Sequence, residues 1–142
     1  MTPTGISKSM SVEGEALIRK AYAAFADRDL DGLVAISEES VEVSTVTGLL
    51  AGRTEPYRGY DGLGEYVGDL ASQWKRLELQ PQTFHSLGDG RVLVFGRVRA
   101  WHERGFLDSQ NAWLWTLRDG RVASVRVYAD PGEARRAFSE ET

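Results

Sequence analysis

LGDGRVLVFGRVRAWHERGFLDSQNAWLWTLRDGRVASVRVY, Leu87 to Tyr128, reads as strands joined by tight turns, and it decides the fold. Asp89-Gly90 and Asp119-Gly120 are dipeptides that two-residue hairpin turns favour, because both central residues need positive φ. They bound strands over Arg91–His102, Leu107–Leu117 and Arg121–Tyr128, with Glu103-Arg104-Gly105 turning the middle pair. Upstream, Leu77–Leu87 also alternates. Pro81 makes it an edge strand or gives it a bulge, since proline has no N–H for a ladder. Short connections make these four strands antiparallel neighbours.

The first half has helical spacing instead. Ile18, Tyr22 and Phe25 recur at i, i+4 and i+7, with Leu17, Ala21 and Ala24 beside them. That predicts a helix over Val12–Ala26, with Ser11 as cap. Asp29 caps a second, short helix that buries Leu30, Leu33 and Val34. Val41–Thr47 is β-branched and reads as a strand, and Gly48–Arg58 as a loop. A third helix follows Gly59-Tyr60-Asp61 and carries Leu63, Tyr66, Val67, Leu70 and Trp74 on one stripe. Asp130-Pro131 opens a C-terminal helix ending near Phe138. Unpaired, the first strand would expose its ladder groups, so it must join an edge of the meander. The helices then cover one face, an α+β layer solution over residues 11–138. Residues 1–10 and 139–142 read as disordered tails.

Composition narrows the function. The 142 residues are 42% apolar and 27% charged, which excludes a wholly disordered chain, a coiled coil and a collagen-like repeat. Without Cys there is no disulfide, thiol nucleophile or Cys-based metal site. His85 and His102 are too few for a multi-His metal site, and each reads as a surface or interface residue. The net charge is −4, and no stretch is polybasic, so neither nucleic acid nor membrane is an expected partner. No apolar run approaches the ~20 residues of a membrane span. With zero Cys, a cytoplasmic protein is expected. Gly62 and Gly64 sit inside a helix, so they are no dinucleotide fingerprint, and no cofactor is implied.

Three segments resemble the nuclear-transport-factor-2-like superfamily: YAAFADRDLDGLVAI (Tyr22–Ile36), PYRGYDGLGEYV (Pro56–Val67) and LRDGRVASVRVYADPGEA (Leu117–Ala134). The pattern is most similar to the SnoaL-like, polyketide-cyclase-type branch, related to ketosteroid isomerase and limonene epoxide hydrolase. The resemblance spans about residues 12–138. It implies a cystatin-like roll: a curved, cone-shaped, mixed or antiparallel sheet with three N-terminal-half helices on its concave face. It also implies an apolar pocket and a homodimer through the sheet. The isomerase tyrosine falls at Ala21, beside Tyr22; its general-base Asp falls near Thr45; its protonated Asp falls near Ala112. A threonine cannot serve as that base. The epoxide-hydrolase Arg matches Arg97, but its two Asp positions hold Arg99 and Val127. Both matched catalytic sets are therefore incomplete.

If Arg97 points inward, as that match implies, Leu93, Phe95, Arg99 and Trp101 share its face. Val92, Val94, Gly96, Val98 and Ala100 would then form an outer, apolar dimer face. Val125, Val127 and Ala129, and Asp108, Gln110, Ala112, Leu114 and Thr116, would also face in. The expected pocket thus holds Tyr22, Thr45, Tyr66, Trp74, Phe95, Arg97, Arg99, Trp101, Gln110, Leu114 and Val127. The best catalytic candidates are Asp108 as acid/base, with Arg99 and Arg97 binding an anionic or carbonyl oxygen. The plainer reading is that Arg99 and Asp108 form a solvated cross-strand ion pair at the open end of the sheet. Tyr57 and Tyr60 flank the loop before the third helix, as packing residues or as a lid. Two functions stay open. One is a domain binding a small hydrophobic molecule; the other is an isomerase, cyclase or hydrolase acting on a natural-product-type substrate. A protein-interaction module with a filled interior is a third.

Overall fold

The structure, a computed structural model, describes residues 12–45, 52–128 and 130–139. Helix α1 spans Val12–Asp27 and buries Ile18, Ala21, Tyr22, Ala24 and Phe25, the predicted stripe. It ends in a Schellman motif. Arg28 takes φ +54, its N–H reaches the Phe25 carbonyl, and the Asp29 N–H reaches that of Ala24. Asp29 then caps α2 (Leu30–Ile36) by accepting from the Gly32 N–H. Strand β1 covers Ser37–Ser44, starting earlier than predicted. Tyr57–Arg58, expected as loop, form a short strand β2 on its edge, with Val43 opposite Tyr57. Helix α3 is Gly59–Gln73. Strands β3 (Arg76–Gly88), β4 (Arg91–His102), β5 (Gly105–Arg118) and β6 (Arg121–Tyr128) form the meander. Helix α4, Pro131–Ser139, follows, so Ser139 belongs to a helix rather than to a tail. Expectations for residues 1–11, 46–51 (the end of the first strand and the start of the loop), Ala129 and 140–142 lie outside the described residues.

The strand order is β2-β1-β6-β5-β4-β3. β1 joins the predicted meander beside β6, and in parallel, which makes the sheet mixed. The sheet is open, with β2 and β3 at its edges. Both Asp-Gly turns have positive φ at both residues, near +54 for Asp89 and Asp119 and above +70 for Gly90 and Gly120. Pro81 delivers both predicted consequences: β3 is an edge strand, and its register slips between Pro81 and Thr83. Gly96 lies opposite that slip. A Cβ there would stand 2.4 Å from the Gln80 carbonyl oxygen, so only glycine lets the bulged edge approach so closely.

The facing of β4 and β5 is the reverse of the expected one. Val92, Val94, Val98 and Ala100 are buried in one cluster with Ile18, Phe25, Leu63 and Leu70 of the helices. The face expected to meet a partner is therefore the core. Leu93 and Phe95 lie on the opposite face, in a smaller cluster with Ala112, Leu114, Tyr128 and the α4 residues Ala134 and Phe138. Burial sets that facing, and a bulge in β6 hides it from the sequence. Arg118 pairs Arg121 and Leu117 pairs Val122, but Thr116 pairs Ser124. One extra residue on β6 flips its face relative to β5. Val125 and Val127 do face inward as expected, but Trp113 and Trp115 accompany them, not Ala112 and Leu114.

Candidate functional site

Beneath the helices the sheet leaves a cavity of about 250 Å³. Alternation builds its floor. Every second residue of four strands points in: Leu77 and Leu79, Val98 and Ala100, Leu107 to Trp113 in steps of two, and Val125 and Val127. Phe25 closes one side from α1, while Tyr66 and Leu70 of α3 and the following Trp74 close another. The lining is mostly apolar. Its polar groups come in two pairs. Ser109 Oγ donates to Asn111 Oδ1 at 3.0 Å, which leaves the Asn111 amide hydrogens for a ligand acceptor. Thr45 hydrogen-bonds the Tyr66 phenol. Burial pushes that phenol well above the usual tyrosine range, so it stays neutral and serves as a hydrogen-bonding group.

Four expected pocket residues line this cavity: Thr45, Tyr66, Trp74 and Val127. Tyr22 lies one layer deeper. It is 3% exposed, accepts a hydrogen bond from Trp115 Nε1 at 3.1 Å, and supports the cavity wall edge-on through Trp113. Phe95, Arg97, Arg99, Trp101, Gln110 and Leu114 are on the other face of the sheet, for the register reason above, and do not line the cavity. So is Asp108. Arg97 Nε and Nη2 donate to its two carboxylate oxygens, both at 2.6 Å, and Arg99 Nε stands 3.8 Å away. The hydrogen bond from Arg97 holds the Asp108 carboxyl below its ordinary range. The expected cross-strand pair of Arg99 and Asp108 is present only at that longer distance, Arg97 is the close partner, and a sheet separates all three from anything bound inside. Ala112, matched to a catalytic Asp, is sealed under α4.

Neither histidine lines the cavity, though His102 packs against Trp74, which does, with ring centroids 5.8 Å apart. His85 packs edge-on against Phe95, and exposed His102 accepts from the Arg104 N–H. Tyr57 and Tyr60 pack rather than form a lid. Tyr57 is buried and donates to Asp69, and Tyr60 donates to the Ser37 carbonyl. Sequence reasoning missed Ser109, Asn111 and Trp113. Their shared parity with Leu107 was the available signal. Among the described lining residues there is no Asp, Glu, His or Lys.

The SnoaL-like domain model matches residues 18–125. An uncharacterised protein of Mycobacterium tuberculosis is 34% identical over 119 residues, covering 81% of this chain and 88% of its own. Among solved structures, an NTF2-like protein of unknown function from Burkholderia pseudomallei is similar at a TM-score of 0.73 and 23% identity. That match covers 89% of this chain and 97% of the other. TerC, co-crystallised with polyporic acid, is similar at a TM-score of 0.72 and 26% identity, covering 89% and 98%. The six-stranded roll, its helices and the segments they match make this chain a member of the SnoaL-like family, with the NTF2-like α+β fold.

Proposed function

We propose that this domain binds a small hydrophobic molecule in the cavity under α1 and α3. The observation that carries the reading is an apolar chamber of about 250 Å³ with two polar pairs in its wall. An engineered apolar cavity of about 150 Å³ takes up benzene, so one or two rings are the right scale here. Apolar walls with a few oriented polar groups are what small-molecule sites generally present. Asn111 would donate to a ligand oxygen, and the rest of the ligand would be held by burial. TerC's co-crystallisation with polyporic acid supports testing small organic molecules first.

The test is a thermal-shift screen of aromatics, terpenes, steroids and small carboxylates. A ligand at ~100 times its Kd stabilises the native state by ~2.7 kcal/mol. For a chain of this size that raises Tm by roughly 8 °C. The same ligand should lose most of its shift with Asn111→Ala. No shift from any class would overturn the reading. Recovery of a bound compound in chemically altered form would instead place turnover in this cavity.

A homodimer through the outer face of the sheet belongs to the same proposal. Phe106 is 52% exposed there and packs on Trp101, giving an aromatic patch outside α4. Sedimentation at micromolar concentration is expected to give twice the chain mass, and the mass of one chain would refute the dimer.

A further inference from the structure

A second recess, about 400 Å³, adjoins the apolar cavity, and Thr45 and Val127 belong to both walls. Its wall carries charge that the cavity lacks, from Arg53 ahead of β2 and Arg126 on β6. Arg53 is held in place. Its Cζ lies 3.9 Å from the centroid of the Tyr57 ring, and Tyr57 is itself buried and tied to Asp69. A guanidinium resting over a fixed ring has its position set by that contact. The protein leaves those donors under-used. Nη1 meets exposed Glu65 only at 3.4 Å, and Nε has no hydrogen-bond partner among the described residues. The side chain is still 29% exposed, so a ligand can reach its outer nitrogens. Arg126 lies over Tyr128, on the outer face of the sheet with Leu114, so its charge does not face the cavity. Glu55 shares the wall, but it is 3.6 Å from Arg58 and thus partly neutralised.

We infer that this recess receives the carboxylate of a ligand whose apolar body occupies the cavity, so that the ligand class is a small apolar carboxylic acid. The inference rests on the cavity reading above and adds the anionic group and its anchor. The planar donor fork of Arg53 matches the two oxygens of a carboxylate.

The test is titration calorimetry of the full chain with 2-naphthoate and with its neutral isostere 2-naphthamide, at low salt. Naphthoate is expected to bind about tenfold tighter than naphthamide. Arg53→Gln should bring that ratio close to one, Arg126→Gln on the outer face should leave it near tenfold, and naphthamide affinity should hold in both. Equal affinities in the unmodified chain would overturn the inference and leave the cavity reading standing. A preference that survives Arg53→Gln would overturn it too. Binding of neither compound would overturn the cavity reading, and the inference with it. Should Arg53→Gln fail to fold, Arg53→Lys carries the test: it keeps the charge but not the donor fork and should cut the preference severalfold, and an undiminished preference would overturn the inference.

Discussion

Trp115→Ala is expected to lower Tm by roughly 10–15 °C, the largest loss from any single substitution considered. Trp115 is fully buried on β5. Its ring stacks on Phe25 with centroids 6.1 Å apart and meets Tyr22 edge-on at 5.2 Å. Truncating a buried Trp to Ala costs ~3–5 kcal/mol, from lost burial plus the cavity left behind. That is a large share of the ~5–15 kcal/mol by which domains are stable. The ring also carries the polar tie between the two halves of the chain. Its Nε1–H donates to Tyr22 Oη across 93 residues of sequence. Tyr22→Phe leaves that buried N–H without an acceptor, at ~1–3 kcal/mol. Trp115→Phe leaves the phenol as the orphan. Removing both polar partners together should therefore cost less than the two single losses summed. Urea unfolding of the four proteins measures this coupling, and simple additivity would show that the bond contributes nothing.

The backbone plan was readable because its signals are local. Asp89-Gly90 and Asp119-Gly120 suit hairpin turns whose φ values few other residue pairs adopt, and Pro81 declares its own bulge. The spacing of Ile18, Tyr22 and Phe25 gives the buried side of α1. Facing was a different kind of question, since a strand has two sides and one slip exchanges them. Two clues conflicted. The clean apolar alternation Val92, Val94, Val98, Ala100 marks a core face by burial alone. The matched position of Arg97 marks the other side as the pocket, and the structure follows the burial clue. The bulge between Thr116 and Leu117 made the conflict hard to see. With an unbroken ladder, an inward Val125 requires an inward Leu114. No Gly or Pro announces the bulge, so nothing local told that the parity changes there. The same slip hid Ser109 and Asn111 and brought Asp108 forward as a candidate. Thr45, Tyr66 and Trp74 were legible because they belong to the edge of β1 and the α3 stripe, which the slip does not touch.

Val98→Phe separates an open cavity from a filled one, and the inner face from the outer. Val98 sits in mid-sheet, opposite Ser109 on β5 and Leu79 on β3, and all three line the cavity. In a close-packed interior the added ring would be overpacking, at ~1–3 kcal/mol. Here it enters empty apolar space, where each Å² it hides from water contributes ~25 cal/mol. Stability should therefore stay within ~1 kcal/mol of the unmodified chain, or rise. Affinity for a cavity ligand should fall about 100-fold, near 2.7 kcal/mol, because the ring takes the ligand's place. Gln110→Phe is the matching control. It puts the same ring on the exposed face of the neighbouring strand, where binding should not change. Loss of stability in Val98→Phe with binding intact would mean that the chamber is closed to ligands. Loss of binding in Gln110→Phe alone would move the ligand to the face that carries Arg97, Arg99 and Asp108, and would return those three residues to the centre of the site.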